Sequence, residues 1–292
     1  MGCSICGNSD STRTYRSEMN VKGISKCNVC DSISINTLDY AIRPGDYSTS
    51  EYSSYLLAKN LVGELRRFHN FLNELPKYFG KQKNSINHGE ISILDVGAGD
   101  GEFVKISRNK GFYTEGIEIS ISAADICYEK TGIKLNVGDL DKIVLDRKFD
   151  VITLWCVLAH TDDMTSLLLA ANRNLSNNGI IFISTPRYCA IDRIAELLIL
   201  FRIRFGMKVL NRRVNGDHKR LLTEKGMIAL AHKSNFNLIK FRKTCAYGLQ
   251  ASSYLENLRF PPKTILLLSK LIDWLIYLKL MPRNVLEVYL RK

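Results

Sequence analysis

Residues Ile91–Ser120 read ISILDVGAGDGEFVKISRNKGFYTEGIEIS, and their pattern decides the fold. An apolar run ends in Asp95-Val-Gly97-Ala-Gly99-Asp-Gly101, helical spacing follows, and a second short run closes on Glu118. This order reads as strand, glycine-rich turn, helix, and strand ending in a carboxylate. Glycines let the backbone turn sharply and approach a ligand that any Cβ would block. A carboxylate at the tip of the next strand can accept two ribose hydroxyls. Glu118 follows Gly99 by 19 residues, near the spacing of about 20 expected of a ribose-binding acid in such a unit. The stretch therefore points to a nucleoside ligand lying across the tips of parallel strands.

Glycine-rich first turns also serve dinucleotides, so the turn alone leaves the ligand open. Two details separate the cases. The motif is G-x-G-x-G (Gly97, Gly99, Gly101), and the acids Asp95, Asp100 and Glu102 crowd it. A pyrophosphate at the helix N-terminus meets repulsion from these acids, whereas a ligand with a sulfonium and an ammonium group does not. That profile fits S-adenosylmethionine better than a dinucleotide.

The segment resembles motif I of class I S-adenosylmethionine-dependent methyltransferases, and the similarity continues downstream. Val137-Gly-Asp139-Leu140 resembles the loop after the third strand of that family, whose acid contacts the adenine amino group. Phe149–His160 (FDVITLWCVLAH) resembles the fourth strand and its loop, and Asn174–Pro186 (NLSNNGIIFISTP) the turn and fifth strand. The resemblance spans about residues 40–291 and implies a Rossmann-like, seven-stranded, mostly parallel sheet with helices on both faces. It places Asn284–Arg291 as a last strand, antiparallel at the sheet edge. It also implies cofactor contacts at Asp95, Gly97, Gly99, Glu118 and Asp139, with Ile119 and Leu140 flanking the adenine and Trp155 and Cys156 closing the fourth-strand edge. The subgroup most similar in appearance comprises bacterial small-molecule enzymes, including ubiquinone-pathway O-methyltransferases and methyltransferases of sugar clusters. No N-P-P-Y or D-P-P-Y tetrapeptide follows the fourth strand, where base-amine methyltransferases keep one.

Before this domain the chain carries Cys3-x2-Cys6 and Cys27-x2-Cys30. Two such knuckles can close a tetrahedral Zn2+ site, with two disulfides or free thiols as the alternatives. A four-sulfur site leaves no coordination position for a substrate, so its role is structural, stapling a ribbon too short to own a core. Cys127, Cys156, Cys189 and Cys245 occur singly in apolar contexts and read as small buried hydrophobes. The organisation expected is a zinc-ribbon-like segment at 1–38, a helical lid and linker at 39–90, and the methyltransferase domain at 91–292. A helical cap over the acceptor is expected at about 187–234. In the lid a single long amphipathic helix is expected from about Glu51 to Phe79, and the resemblance offers Tyr47, before it, and Tyr52, at its start, as covers for the cofactor, with packing as the alternative for either.

Charge divides the chain. Of 41 Lys/Arg and 29 Asp/Glu, Arg187–Lys292 holds 21 and 7, whereas residues 1–186 hold 20 and 22. The whole basic excess thus lies in the part that covers the acceptor, and a field of one sign concentrates anionic ligands or surfaces. The partners expected are a small-molecule acceptor, anionic or lipid-linked, and peripheral membrane contact through the basic C-terminal part; a solvated basic face is the alternative. Ile191–Leu210 and Pro261–Met281 are apolar but interrupted by charges, so neither is expected to span a bilayer. The N-terminus has no apolar signal core, and the location expected is cytoplasmic, at most peripheral to the inner face of the membrane.

An oxygen acceptor calls for a general base, and histidine suits that task near neutral pH. His160, after the fourth strand, and His218, before the helix that carries part of the cap, are the candidates. Many members of the family show Glu-His at the first position, where this chain has Ala159-His160. The function expected is methyl transfer from S-adenosylmethionine to a hydroxyl of a sugar, polysaccharide or lipid-linked precursor. The alternatives are an RNA methyltransferase that uses the ribbon and the basic part, with nucleic acid the less favoured partner, and a non-catalytic scaffold that keeps the cofactor fold.

Overall fold

The computed structural model describes residues 2–9, 12–15, 18, 20, 23–35, 49–80, 90–214, 218–246, 250–257, 261–278 and 280–292. The chain begins with three short antiparallel strands, β1 (Thr12–Thr14), β2 (Ile24–Cys27) and β3 (Ile33–Ile35), which bring the two cysteine pairs together. Helices α1 (Thr49–Ala58) and α2 (Leu61–Glu74) follow, then a 3-10 turn, Leu75–Phe79. The single long helix expected here is broken at Lys59-Asn60. Asn60 leaves helical geometry and its side chain accepts from Gly63 N at 3.2 Å, an N-cap that starts a new helix. Tyr47 lies outside the described residues, and of Tyr52 only the backbone is described.

The main sheet is built from β4 (Ser92–Val96), β5 (Tyr113–Glu118), β6 (Asn136–Val137), β7 (Phe149–Trp155), β8 (Leu175–Pro186), β10 (Asn237–Thr244) and β11 (Val285–Arg291). Helices α3 (Glu102–Asn109), α4 (Ile121–Thr131) and α5 (Met164–Asn174) connect its parallel part. The order is β10-β11-β8-β7-β4-β5-β6, with every pair from β8 to β6 parallel and the β8-β11-β10 edge antiparallel. A strand covered on both faces reads as a continuous apolar run, and β4 is buried at all five positions. The last strand, β11, is antiparallel as expected but does not lie at the edge. It runs between β8 and β10 because Leu286, Val288, Tyr289 and Leu290 are fully buried, and such a strand needs a partner on each side.

One face of the sheet is covered by α2, which presents Phe68 and Phe71 to Phe103, Trp155, Phe182 and Tyr289. Ring centroids are 4.5 Å apart for Phe71–Phe182 and 4.7 Å for Phe68–Trp155. Glu287, buried in β11, is satisfied by Arg67 of α2 at 3.0 Å and Arg242 of β10 at 2.7 Å, so α2 and the edge strand are locked to the same carboxylate. The remaining elements are α6 (Ala190–Leu200), α7 (Arg204–Arg213), β9 (Arg220–Leu221) and α8 (Glu224–Lys233), followed late in the chain by α9 (Ala251–Asn257) and α10 (Pro262–Tyr277). β9 pairs with β3, through Ile33↔Leu221 and Ser34↔Arg220, and makes the ribbon a four-stranded sheet.

The ribbon does not stand apart. Cys3, Ile5, Cys27 and Cys30 belong to the same core as Leu222, Met227, Leu230 and Phe236, and Ile24 and Ile33 pack with Met207, Leu210 and Val214 of the α6–α7 side. Thr223 caps α8 by accepting from Gly226 N at 3.0 Å, and its hydroxyl donates to Cys30 O. Among the described residues no helix is long and apolar enough to cross a membrane.

Candidate active site

Strand order reverses at β4, which has β5 on one side and β7 on the other; ligands of open α/β sheets bind in the crevice beyond such a switch point. The turn that leaves β4 is held on β5, since Gly97 N and Ala98 N both donate to Ile117 O, at 2.8 and 3.0 Å. Gly97 has φ +73°, and a Cβ there would come within 2.4 Å of Val157 Cγ2; at Gly101, also φ +73°, it would meet Cys127 Sγ at 2.2 Å. Both positions therefore exclude a side chain on two counts, backbone conformation and space.

Glu118 closes the cradle. Its Oε2 accepts from Gly99 N at 2.7 Å and its Oε1 from Ser120 N at 2.9 Å, so the carboxylate is fixed by the turn it faces. Burial raises its pKa, while those N–H groups work in the opposite direction. The Gly99 N–H that a phosphate would use is thus already committed. Each carboxylate oxygen retains acceptor capacity for a hydroxyl.

The acids around the turn are not a bare negative rim, which refines the argument made from their number. Asp95 is buried, accepts from Thr153 Oγ1 at 2.6 Å, and is pushed by burial up to about 8, so it is protonated at neutral pH. Asp100 is opposed by burial, but Lys59 (3.5 Å) and Lys130 (2.7 Å) outweigh it and hold the carboxyl below its ordinary range. Lys59, at the α1–α2 break, also pairs with Glu64 at 2.6 Å and so ties the lid to the turn.

Further along the same edge, Gly138 N donates to Glu118 O at 2.9 Å, which sets the β6 loop beside the β5 tip. Asp139 is partly exposed and paired with Lys142 at 3.0 Å, Leu140 is buried, and Ile119 is 38% exposed. Trp155 sits elsewhere: its ring lies in the aromatic layer under α2, with Arg67 over it.

Beyond β7 the loop carries His160, and the segment before β9 brings His218 to it, with ring centroids 4.7 Å apart. Cys156 joins them, its Sγ 3.3 Å from His218 Nε2. It is not the isolated apolar filler that its sequence context suggests. Burial pushes this thiol up to about 12 and holds His218 down at about 3, the neighbouring His160, Arg213 and Arg212 adding to the latter. His218 is thus a neutral imidazole, a lone-pair donor more than a ready proton acceptor. Its place depends on the ribbon: Lys219 N donates to Ala159 O at 2.8 Å while Ile35 N donates to Lys219 O at 3.1 Å. The sequence signals for these additions were faint, being the spacing Cys156-x3-His160 and a lone lysine, Lys59, at a helix break.

In the ribbon the four sulfurs of Cys3, Cys6, Cys27 and Cys30 lie within 4.8 Å of one another, with 3.8 Å between Cys3 and Cys30 and 3.6 Å between Cys6 and Cys27. Four thiolates around a tetrahedral Zn2+ are about 3.8 Å apart, given a Zn–S bond of about 2.3 Å. The donor set and spacing fit that ion.

Fold, switch point, glycine cradle and the carboxylate at the tip of β5 together match a class I S-adenosylmethionine-dependent methyltransferase. The profile of the family described as a methyltransferase domain matches residues 60–240, more than half the chain, and the protein belongs to that family. Relatives include the ubiquinone biosynthesis O-methyltransferases of Histophilus somni (25% identical over 134 residues, 42% of this chain and 56% of that protein) and Rickettsia prowazekii (28% over 134 residues, 43% and 53%). The chain spans about half the length of these curated relatives. Among solved structures, phosphoethanolamine N-methyltransferase 2 of Haemonchus contortus in complex with S-adenosyl-L-methionine is similar in fold, with a TM-score of 0.53 at 14% identity, covering 84% of this chain and 57% of that one.

Proposed function

We propose that this chain transfers a methyl group from S-adenosylmethionine to a hydroxyl of a small acceptor, a sugar, polysaccharide or lipid-linked precursor. The observation that carries the reading is the Glu118 carboxylate pinned by Gly99 and Ser120 beside a turn in which Gly97 and Gly101 have no room for a side chain. In this reading Glu118 accepts the ribose hydroxyls, Asp95 serves the cationic methionine part, and the Gly97–Gly99 backbone lies against the cofactor. Asp139 meets the adenine amino group, and Ile119 and Leu140 flank the ring. Trp155 acts from behind, as packing that fixes the tip of β7. His160 and His218 handle the acceptor's hydroxyl across the strand tips. Bound S-adenosylmethionine supplies an electrophilic methyl, and much of the acceleration can come from positioning the oxygen against it. The O-methyltransferase names of the relatives support an oxygen acceptor.

The four N-terminal cysteines serve, in this reading, as a structural zinc site that holds the acceptor wall together. A lipid-linked acceptor is supported by the surface of α6 and α7. Ile194, Leu197, Leu200, Phe201, Ile203 and Phe205 are exposed there among Arg193, Arg202 and Arg204. An apolar row flanked by basic residues suits the headgroup region of an anionic bilayer.

The test is incubation of the whole protein with isotopically labelled S-adenosylmethionine and separated small-molecule, lipid and RNA fractions of its source cell. Label in an alkali-stable ether of the small-molecule or lipid fraction is the expected result. Label confined to RNA, or to amines, contradicts the reading.

A further inference from the structure

The zinc-type ribbon is not the chain's only gathering of metal-binding side chains. Cys156 Sγ, one nitrogen of His160 and one of His218 lie within 4.8 Å of one another. We propose that these three residues form a second transition-metal site, open at one coordination position beside the methyl-transfer crevice. The two metal groups differ in kind. A four-thiolate set is closed, whereas three protein donors leave room for a water or a substrate oxygen.

The geometry carries the proposal. The 3.3 Å between Cys156 Sγ and His218 Nε2 is close to the separation of about 3.6 Å that a tetrahedral ion imposes on a thiolate and an imidazole, given metal–ligand bonds of about 2.3 and 2.0–2.1 Å. Each donor is fixed by backbone rather than left on a mobile stem. Cys156 stands at φ +63°, a left-handed conformation rare for a residue with a Cβ, and its N–H donates to Ser184 O at 2.8 Å. His160 N donates to Val157 O at 2.9 Å. His218 is held through the Lys219 hydrogen bonds to Ala159 and Ile35, so three distant parts of the chain converge on one point.

The donor types select the ion. One sulfur and two imidazole nitrogens suit Zn2+ or Co2+ and disfavour Mg2+ and Ca2+, which require oxygen. Position selects the role. Val157, between two of the donors in sequence, lies against Gly97, so the loop that carries Cys156 and His160 borders the cofactor cradle. A hydroxyl bound to such an ion gives up its proton to solvent more readily. Existence of the site is independent of the methyl-transfer reading; only the assignment of the acceptor oxygen to its open position rests on that reading.

Metal content of the full-length protein, after saturation with Zn2+ and removal of loose ion, tests the site. The wild-type chain is expected to hold two ions, and Cys156→Ala and His218→Asn one each. S-adenosylmethionine affinity by calorimetry should remain within threefold in both variants. A single ion in the wild type, or two ions in both variants, overturns the proposal. If neither variant folds, Co2+ titration of the metal-free wild type decides. Two equivalents with distinct absorption spectra support the site, the weaker one showing fewer thiolate charge-transfer features; a single equivalent contradicts it. Two ions without cofactor binding would sink the methyl-transfer reading and leave the metal site standing.

Discussion

The tips of β4 and β5 and the tip of β7 lie side by side in one sheet, yet they hold their functional groups in different ways. On the β4–β5 side Asp95, the glycine turn and Glu118 come from one contiguous unit and are joined by hydrogen bonds that span at most 20 residues of chain, the contacts from outside it being the Thr153 hydroxyl on Asp95 and the Lys59 and Lys130 ammonium groups on Asp100. On the β7 side, His160 meets His218 only because Lys219 is bonded at once to the β7 loop and to the ribbon strand β3. The first region is a local device that any chain of this pattern assembles. The second is a long-range construction whose parts are separated by up to 184 residues of chain, from Ile35 to Lys219. The cofactor side should therefore tolerate damage to the ribbon, and the acceptor side should not.

The largest effect is expected at the local device. Gly97→Arg places a side chain where a Cβ already meets Val157 at 2.4 Å, and calorimetry should register a loss of S-adenosylmethionine affinity of more than about 100-fold in a chain that remains folded by circular dichroism. Unchanged binding would break the comparison at its firmer end. Second comes the ribbon. Cys27→Ser removes a thiolate from a residue that is also part of the main core, and a loss of about 2–3 kcal/mol should lower the melting temperature by roughly 5–10 °C. Cofactor affinity measured below that transition should move much less than methyl transfer does, and an equal fall in both would erase the distinction drawn between the two sides.

Glu118→Ala removes the acceptor for the ribose and the anchor for Gly99 and Ser120. Hydrogen bonds to a charged group contribute about 1.5–3 kcal/mol, so affinity should fall roughly 10- to 100-fold by calorimetry. The smallest effect is a pH dependence. Asp95 is protonated below about 8 in the free protein, and a cationic ligand favours its carboxylate. Binding below that pH then releases a proton, affinity climbs with pH by at most about tenfold per unit, and the climb flattens above about 8. Calorimetry in buffers of different ionisation enthalpy measures the released proton, and Asp95→Asn should abolish it. Proton uptake on binding would show that the sign is wrong.

The same contrast explains what could be read in advance. Strand alternation, the glycine turn and Glu118 are local signals, written within a few dozen residues, and the sheet in Ile91–Pro186 follows from them. The break between α1 and α2 is marked locally, by the Asn60 cap on Gly63 three residues on. Two features were not legible because each depends on a distant partner. β11 lies inside the sheet because β10 shields it. Cys156 looks like a core cysteine until His218, 62 residues later, is brought to 3.3 Å. Burial also reversed one inference, since counting acids around the turn suggested a negative rim, whereas Lys59, Lys130 and the protonation of Asp95 neutralise most of it.

The central claim is that the β4–β5 device is a sulfonium-cofactor site. Titration of the wild-type chain with S-adenosylmethionine and, separately, with NAD+ tests it most directly. Saturable one-to-one binding of S-adenosylmethionine with no measurable NAD+ binding is predicted; equal binding of the two, or none of S-adenosylmethionine, would contradict it.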